Sequence, residues 1–232
     1  MKHTEKELIA LKEEVSQMWR LVLSQLEKVK QAFLSNDIEL AREVASREKR
    51  VNSFELKIDS DCENYIALYN PVAIDLRLVL SLIKISITLE RIGDFADGIG
   101  KYIIDDGKHP EDDELKENLQ IETMFDAVIE MLSDSYAALD LENTRLAGKI
   151  LAKDETVDEI YRSAIKILAE AIRSKKIEAE AGLKTMLVIR KIERIGDHCS
   201  NIVEEIVFYI DAKVLKHSRN DDNNNEKTEI YY

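Results

Sequence analysis

Leu8, Leu11, Val15, Met18, Val22, Leu26, Val29 and Phe33 follow one another at steps of three and four. A helix with 3.6 residues per turn brings such positions onto one face, whereas a strand needs alternation by two. The stripe runs well beyond the length of an average globular helix. The chain as a whole has only 7 Gly and 2 Pro among 232 residues. These are the two residue types that interrupt helices, so the spacing predicts long, nearly unbroken ones. Ser35-Asn36-Asp37 reads as a turn carrying a new cap. A second helix follows, with Val44, Val51, Ile58 and Tyr65 at heptad spacing. Asn70 and Pro71 read as the cap and first turn of a third helix reaching about Ile104. Asp105 to Pro110 contains both punctuators and is expected to be the central linker.

The pattern then recurs. Met124, Phe125, Val128 and Leu132 stand 106 positions after Met18, Trp19, Val22 and Leu26. Glu142-Asn143 repeats the turn at Asn36-Asp37 at the same offset. Further on the offset is 103, and Glu90-Arg91-Ile92-Gly93-Asp94 returns intact as Glu193-Arg194-Ile195-Gly196-Asp197. The expected fold is therefore all-α, with two tandem, pseudo-symmetric three-helix bundles of long antiparallel helices. Residues 1–106 form the first repeat and 107–216 the second. Residues 217–232, rich in Asn, Asp and Glu and without periodicity, form a disordered acidic and polar tail. The second repeat has no proline between its middle and last helices, so Ser174-Lys175-Lys176 is expected to mark that break.

The formal net charge is −13. Nucleic-acid binding needs clustered Lys and Arg to replace counterions, and no basic cluster occurs, so direct nucleic-acid binding is disfavoured. An acidic surface suits cations or a basic partner. Cys62 and Cys199 lie among apolar residues outside any CxxC pair and read as buried thiols in a reducing cytosol. The amino-terminal residues run straight into the amphipathic pattern without the features of a signal peptide. The most apolar stretch, Leu76 to Leu89, contains Arg77 and Lys84 and is too short to span a bilayer. A cytoplasmic protein is expected.

The placement of carboxylates is the sharpest chemical signal. The apolar series Leu76, Leu80, Ile83 and Ile87 continues, at the same steps, into Glu90, Asp94 and Asp97. On an ideal helix these acids lie within roughly 40° of Ile83. Acids that continue a stripe facing neighbouring helices or a shared groove repel one another and resist desolvation, so protonation, salt bridges or bound cations must compensate. Oxygen-rich clusters suit hard cations. In the second repeat Glu193 and Asp197 share one face, with His198 adjacent and Ser200, Asn201 and Glu204 beyond. Asp154 and Asp158 on the middle helix correspond to Glu48 and Asn52. Each bundle could offer four ligands: Glu48, Asn52, Glu90 and Asp94 in the first, and Asp154, Asp158, Glu193 and Asp197 in the second. Asn52 keeps an oxygen but lacks charge, so the first site is expected to be the weaker. The bland alternative for any single ExxxD pair is a solvated helix face; two identical copies at equivalent positions argue against it. Arg91 and Arg194 point about 100° from the preceding Glu and are expected to be remote partners at best. Gly93 and Gly196, each costly inside a helix, suggest close helix approach or, second to it, room for a bound ion.

The paired ERIGD segments, the run Asn70-Pro71-Val72-Ala73-Ile74-Asp75-Leu76-Arg77 and the two three-helix repeats resemble the PhoU family of phosphate-uptake regulators. The resemblance covers nearly the whole chain except the tail. It implies metal clusters, often of iron and otherwise of divalent ions such as Zn, Mn, Mg or Ca. Carried over by motif, their ligands would be Glu48, Glu90, Asp94, Asp97, Asp154, Asp158, Glu193, Asp197 and Asn201. This sequence departs from the pattern at Asn52, where the family often has Asp, and at Gly98, which stands opposite Asn201. The resemblance further implies no catalytic activity. It implies negative regulation, coupling the ATPase subunit of a phosphate ABC transporter to a membrane histidine kinase through peripheral association with the membrane complex. Self-association as a homodimer is left open.

Three functions compete at this level. The first is a metal-binding regulatory adaptor of phosphate transport, serving an ABC system or, as shorter relatives do, a secondary phosphate carrier. The second, a ferritin-like di-iron enzyme, needs Glu-x-x-His pairs, which neither copy has. The third is a metal-free helical module whose acids dock a basic partner.

Overall fold

The computed structural model describes residues 3–106 and 113–213. Those residues form helices, with no strand among them. Helix α1 spans His3–Ser35, α2 Ile38–Tyr69 and α3 Ala73–Asp106. At 1.5 Å per residue each is about 50 Å long. A short α4 (Asp113–Leu119) precedes α5 (Ile121–Asp140), α6 (Ala147–Arg173) and α7 (Ala179–Asp211). The break between α4 and α5 falls at Gln120, in the left-handed region with φ 50°. Residues 107–110 of the expected linker and the whole expected tail lie outside the described residues.

The apolar stripe of α1 becomes its buried face: Leu11, Val15, Met18, Val22, Leu26, Val29 and Phe33 are all core residues. The heptad series of α2 (Val44, Val51, Ile58 and Tyr65) is likewise buried. Asp37 caps α2, its carboxylate accepting from the Leu40 N–H at 3.0 Å, which satisfies one of the open donors of the first turn. Asn143 does the same at 3.0 Å for a 3₁₀ turn, Thr144–Leu146, that leads into α6. The break between α6 and α7 falls where Ser174-Lys175-Lys176 predicted it.

Two expectations need correction. Asn70 does not open α3. It closes α2 in the left-handed conformation, φ 47°, its N–H donating to the Ile66 carbonyl at 3.2 Å. Asn tolerates that conformation well, and Pro71 prevents α2 from continuing, so α3 begins at Ala73. The second correction concerns the face of α3. Its core residues are Leu78, Leu82, Ile85, Leu89, Ile92, Ala96, Ile99 and Ile103, whereas Leu80 is 39% and Ile87 42% exposed. This helix is apolar on more than one face between Leu76 and Leu89, so two stripes fit its spacing, and burial selects the other one. Of the acids in line with Leu80 and Ile87, Glu90 and Asp94 thus border the core, while Asp97 is buried.

The repeats are joined by two antiparallel helix pairs. In one, α1 meets α5: Trp19 Nε1 donates to the Leu132 carbonyl at 3.1 Å, and the Phe33 and Phe125 rings lie 5.9 Å apart. In the other, α3 meets α7. Arg77 Nε donates to the Tyr209 carbonyl and Ser81 Oγ to the Glu205 carbonyl, both at 3.2 Å. Further along, Phe95 packs on His198, ring centroids 5.6 Å apart. One hydrophobic cluster runs through α1 to α7.

Trp19, 1% exposed, is the large anchor of the α1–α5 seam. Trp19→Phe keeps a ring but loses the bond to Leu132 and is expected to cost about 1 kcal/mol. Trp19→Ala leaves a cavity and is expected to cost about 3–5 kcal/mol. Urea unfolding followed by circular dichroism checks both; equal losses would show that ring volume is not what the seam depends on.

Candidate acidic sites on the repeated helices

The duplicated pentapeptides lie mid-way along α3 and α7, where the two helices cross with their neighbours. Gly93 and Gly196 are buried there. A Cβ on Gly93 would stand 3.3 Å from Val51, and one on Gly196 would stand 2.8 Å from Asp154 Oδ1. Both glycines therefore admit a neighbouring middle helix at close range, as their helix-breaking cost suggested.

In the second repeat, α6 brings Asp154 and Asp158 beside Glu193 and Asp197 of α7. Asp154 Oδ2 accepts from Ser200 Oγ at 2.8 Å. Burial, then the negative charges of Asp197 and Asp158, push the Glu193 carboxyl above its ordinary value. Arg194 reaches Asp197 directly, Nη1 to Oδ2 at 2.6 Å, which corrects the expectation that the motif arginine is remote. A spacing of three residues places the two side chains on adjoining positions of the helix surface. Arg162 stands 3.9 Å from Asp158. His198 turns to Phe95 across the seam, and burial and Arg194 hold its pKa below the usual histidine value. Asn201 is exposed.

The first repeat is assembled differently. Asn52 Nδ2 donates to Glu48 Oε1 at 2.6 Å, and Asn52 Oδ1 is buried without a hydrogen-bond partner. Glu90 and Asp94 flank Arg91, at 3.6 and 4.0 Å. Burial and the neighbouring Asp94 raise the Glu90 carboxyl. Asp97 is 5% exposed, with Oδ2 at 2.5 Å from Lys101 Nζ and Oδ1 unsatisfied. Gln25, fully buried on α1, was not singled out from sequence. Its Oε1, also unsatisfied, lies against Gly93. A glutamine within an apolar stripe at the level of the pentapeptide was the available signal.

Among the described residues, no three Asp, Glu, His or Cys side chains converge closely enough, as placed, to hold an ion. The donor chemistry nevertheless suits a hard cation. Carboxylates from adjacent helices raise one another's proton affinity, and buried oxygens are left without donors. Closing on an ion in the second repeat would require Asp197 to leave Arg194. The cysteines are buried thiols, as expected; burial pushes Cys62 up to about 12, which makes it inert.

The geometry defines a class: a tandem-repeat helical protein whose equivalent helices, α3 and α7, carry matched acidic motifs on either side of an antiparallel seam. A family model described as "PhoU domain" matches residues 15–103 and again 121–206, and the chain belongs to the PhoU family. It is 31% identical over 216 residues to the Phosphate-specific transport system accessory protein PhoU homolog 1 of Thermotoga maritima, covering 92% of this chain and 91% of that protein. To the Phosphate-specific transport system accessory protein PhoU of Escherichia coli it is 32% identical over 219 residues, covering 93% and 88%. The crystal structure of the phosphate transport system regulatory protein PhoU from Streptococcus pneumoniae superposes with a TM-score of 0.82 at 26% identity, covering 92% of this chain and all of that one. That of PhoU from Pseudomonas aeruginosa gives 0.83 at 27%, covering 90% and 99%. The family is one of regulatory accessory proteins and not of enzymes. No helix among the described residues is long and apolar enough to cross a membrane.

The raised Glu193 carboxyl has a sign that can be checked. A carboxyl whose folded value lies above its unfolded one stabilises the fold below the unfolded value and loses that contribution as pH rises through the folded one. Glu193→Gln removes a like-charge pair with Asp197 and is expected to raise metal-free stability at neutral pH by about 0.2–0.5 kcal/mol. The gain should fade as pH falls into the ordinary glutamate range. Paired thermal melts in chelator at the two pH values test this; a gain that persists in acid would remove the electrostatic explanation.

Proposed function

We propose that this protein is a cytoplasmic negative regulator of phosphate uptake that binds hard metal ions through the acids of its second repeat. It acts by contacting the ATPase subunit of a phosphate ABC transporter and a phosphate-sensing histidine kinase, keeping phosphate-responsive genes off when phosphate is plentiful. The observation that carries the reading is the near-complete match, over both repeats, to relatives named as accessory proteins of the phosphate-specific transport system. The net charge of −13 and the long helical faces suit docking on basic protein surfaces. Asp154, Asp158, Glu193 and Asp197 would hold the metal, iron or another di- or trivalent ion, and the bound ion would neutralise carboxylates that otherwise repel one another.

A metal-independent module is the second reading. It is favoured by Arg194 at 2.6 Å from Asp197, a side chain that already supplies positive charge.

Deleting the gene is expected to leave a phosphate-responsive reporter expressed in phosphate-replete medium, with repression restored by the wild-type chain. A reporter that stays silent without the protein overturns the regulatory reading. Glu193→Ala combined with Asp197→Ala, purified without chelator, is expected to carry less metal than wild type while keeping its helicity. Unchanged metal content refutes the ligand assignment and leaves the metal-independent module.

A further inference from the structure

The repeats differ in where positive charge sits, and the difference falls at equivalent positions. Asp97, 5% exposed, is the most buried acid of the first repeat's motif and corresponds to Ser200 in the second. One helical turn on, Lys101 corresponds to Glu204. Lys101 turns back along α3 to place Nζ 2.5 Å from Asp97 Oδ2, while its stem stays on the surface. Glu48 and Asp94 lie within its electrostatic reach. A second ammonium arrives across the seam. Lys191 of α7 lies against Gly98, where a Cβ would stand 2.7 Å from its Nζ. Its counterpart in the first repeat is Thr88, so nothing basic is returned to the second repeat from that position. Asn52 removes a carboxylate from the first repeat where the second keeps Asp158, as Ser200 removes one from the second where the first keeps Asp97.

The carboxylates therefore balance, and Lys101 against Glu204 sets the difference in charge. The second repeat has Glu204 beyond its acids. The first carries the Lys101 ammonium on Asp97 and has the Lys191 ammonium beside Gly98. A lysine ammonium within contact of a buried carboxylate does the electrostatic work of a bound cation, at no cost in ligand concentration. A divalent ion taking Asp97 as a ligand would have to displace Lys101; in the second repeat it would have to displace Arg194 from Asp197 but would meet Glu204 where the first repeat has Lys101.

We propose that Lys101 is the resident cation of the first repeat's acidic patch, so that divalent cations bind this chain only at the second. The inference rests on reading the second repeat's acids as a divalent-cation site.

The experiment measures Mn²⁺ retained per chain after equilibrium dialysis, with circular dichroism confirming the fold. In the wild-type background, Glu90→Ala with Asp94→Ala should leave the Mn²⁺ content unchanged, while Glu193→Ala with Asp197→Ala should abolish it. Lys101→Met keeps the stem and removes the charge; it should raise Mn²⁺ content, and adding Glu90→Ala and Asp94→Ala should cancel the rise. Lys101→Arg should match wild type. The proposal is overturned if the Glu90/Asp94 double variant lowers metal while Lys101 is present, or if folded Lys101→Met gains none. Should Lys101→Met fail to fold, the double variant in the wild-type background decides alone. A wild-type chain without Mn²⁺ whose Lys101→Met form gains it would sink the second-repeat reading and leave the role of Lys101 standing. If neither form binds, both ideas fall.

Discussion

The contact between α3 and α7 is the constraint on which the rest depends. Each of these helices is the innermost of its own repeat, and each must be covered on two sides: by its bundle partners and by the other. The seam meets this demand with apolar packing and a few fixed polar contacts. Arg77 and Ser81 donate to carbonyls of α7, and Phe95 closes on His198. The Tyr209 carbonyl lies in the last turn of α7, where the helix offers it no donor, and the Glu205 carbonyl accepts through its second lone pair. The seam thereby fixes the register of the two repeats, and with it the separation of the two acidic motifs.

The same crossing explains the glycines and the acids together. Gly93 and Gly196 let the middle helices approach so closely that Val51 and Asp154 fill the space of a missing side chain. Close approach brings carboxylates on α2 and α6 beside those on α3 and α7, which partly desolvates them. Raised Glu90 and Glu193 are the consequence. A cation, whether a metal ion or a side chain of the protein, relieves that repulsion. Arg194 and Lys101 show that the chain supplies some of its own. The two repeats share a scaffold yet distribute charge differently, the expected outcome when duplicated sites keep their packing residues and vary their polar ones.

Much of the architecture was legible from residues alone. Helices have a strong local period, so the stripes of α1 and α2 appeared as they are buried, and the caps at Asp37 and Asn143 lay at the marked turns. The repeat was visible because identical residues recur at fixed offsets. The face of α3 was not. That helix is apolar on several sides, and only the positions of its neighbours decide that Leu82 and Leu89 go inward while Leu80 and Ile87 stay out. Asn70 could serve as the end of one helix or the start of another, and the left-handed backbone settled the choice.

For the site, the sequence determined which residues are acidic, that they come in two matched sets, and that the first set has an uncharged Asn52 where the second has Asp158. Helical periodicity is enough for that, since it fixes which side chains share a face. Arg194 with Asp197 and Lys101 with Asp97 belong to the same periodicity, being three and four residues apart on one helix. Tertiary structure decided what stands opposite the motifs: Lys191 against Gly98 and Gln25 against Gly93, and how deeply each acid is buried. Those contacts depend on the crossing of helices distant in sequence, which leaves no periodic trace in the chain.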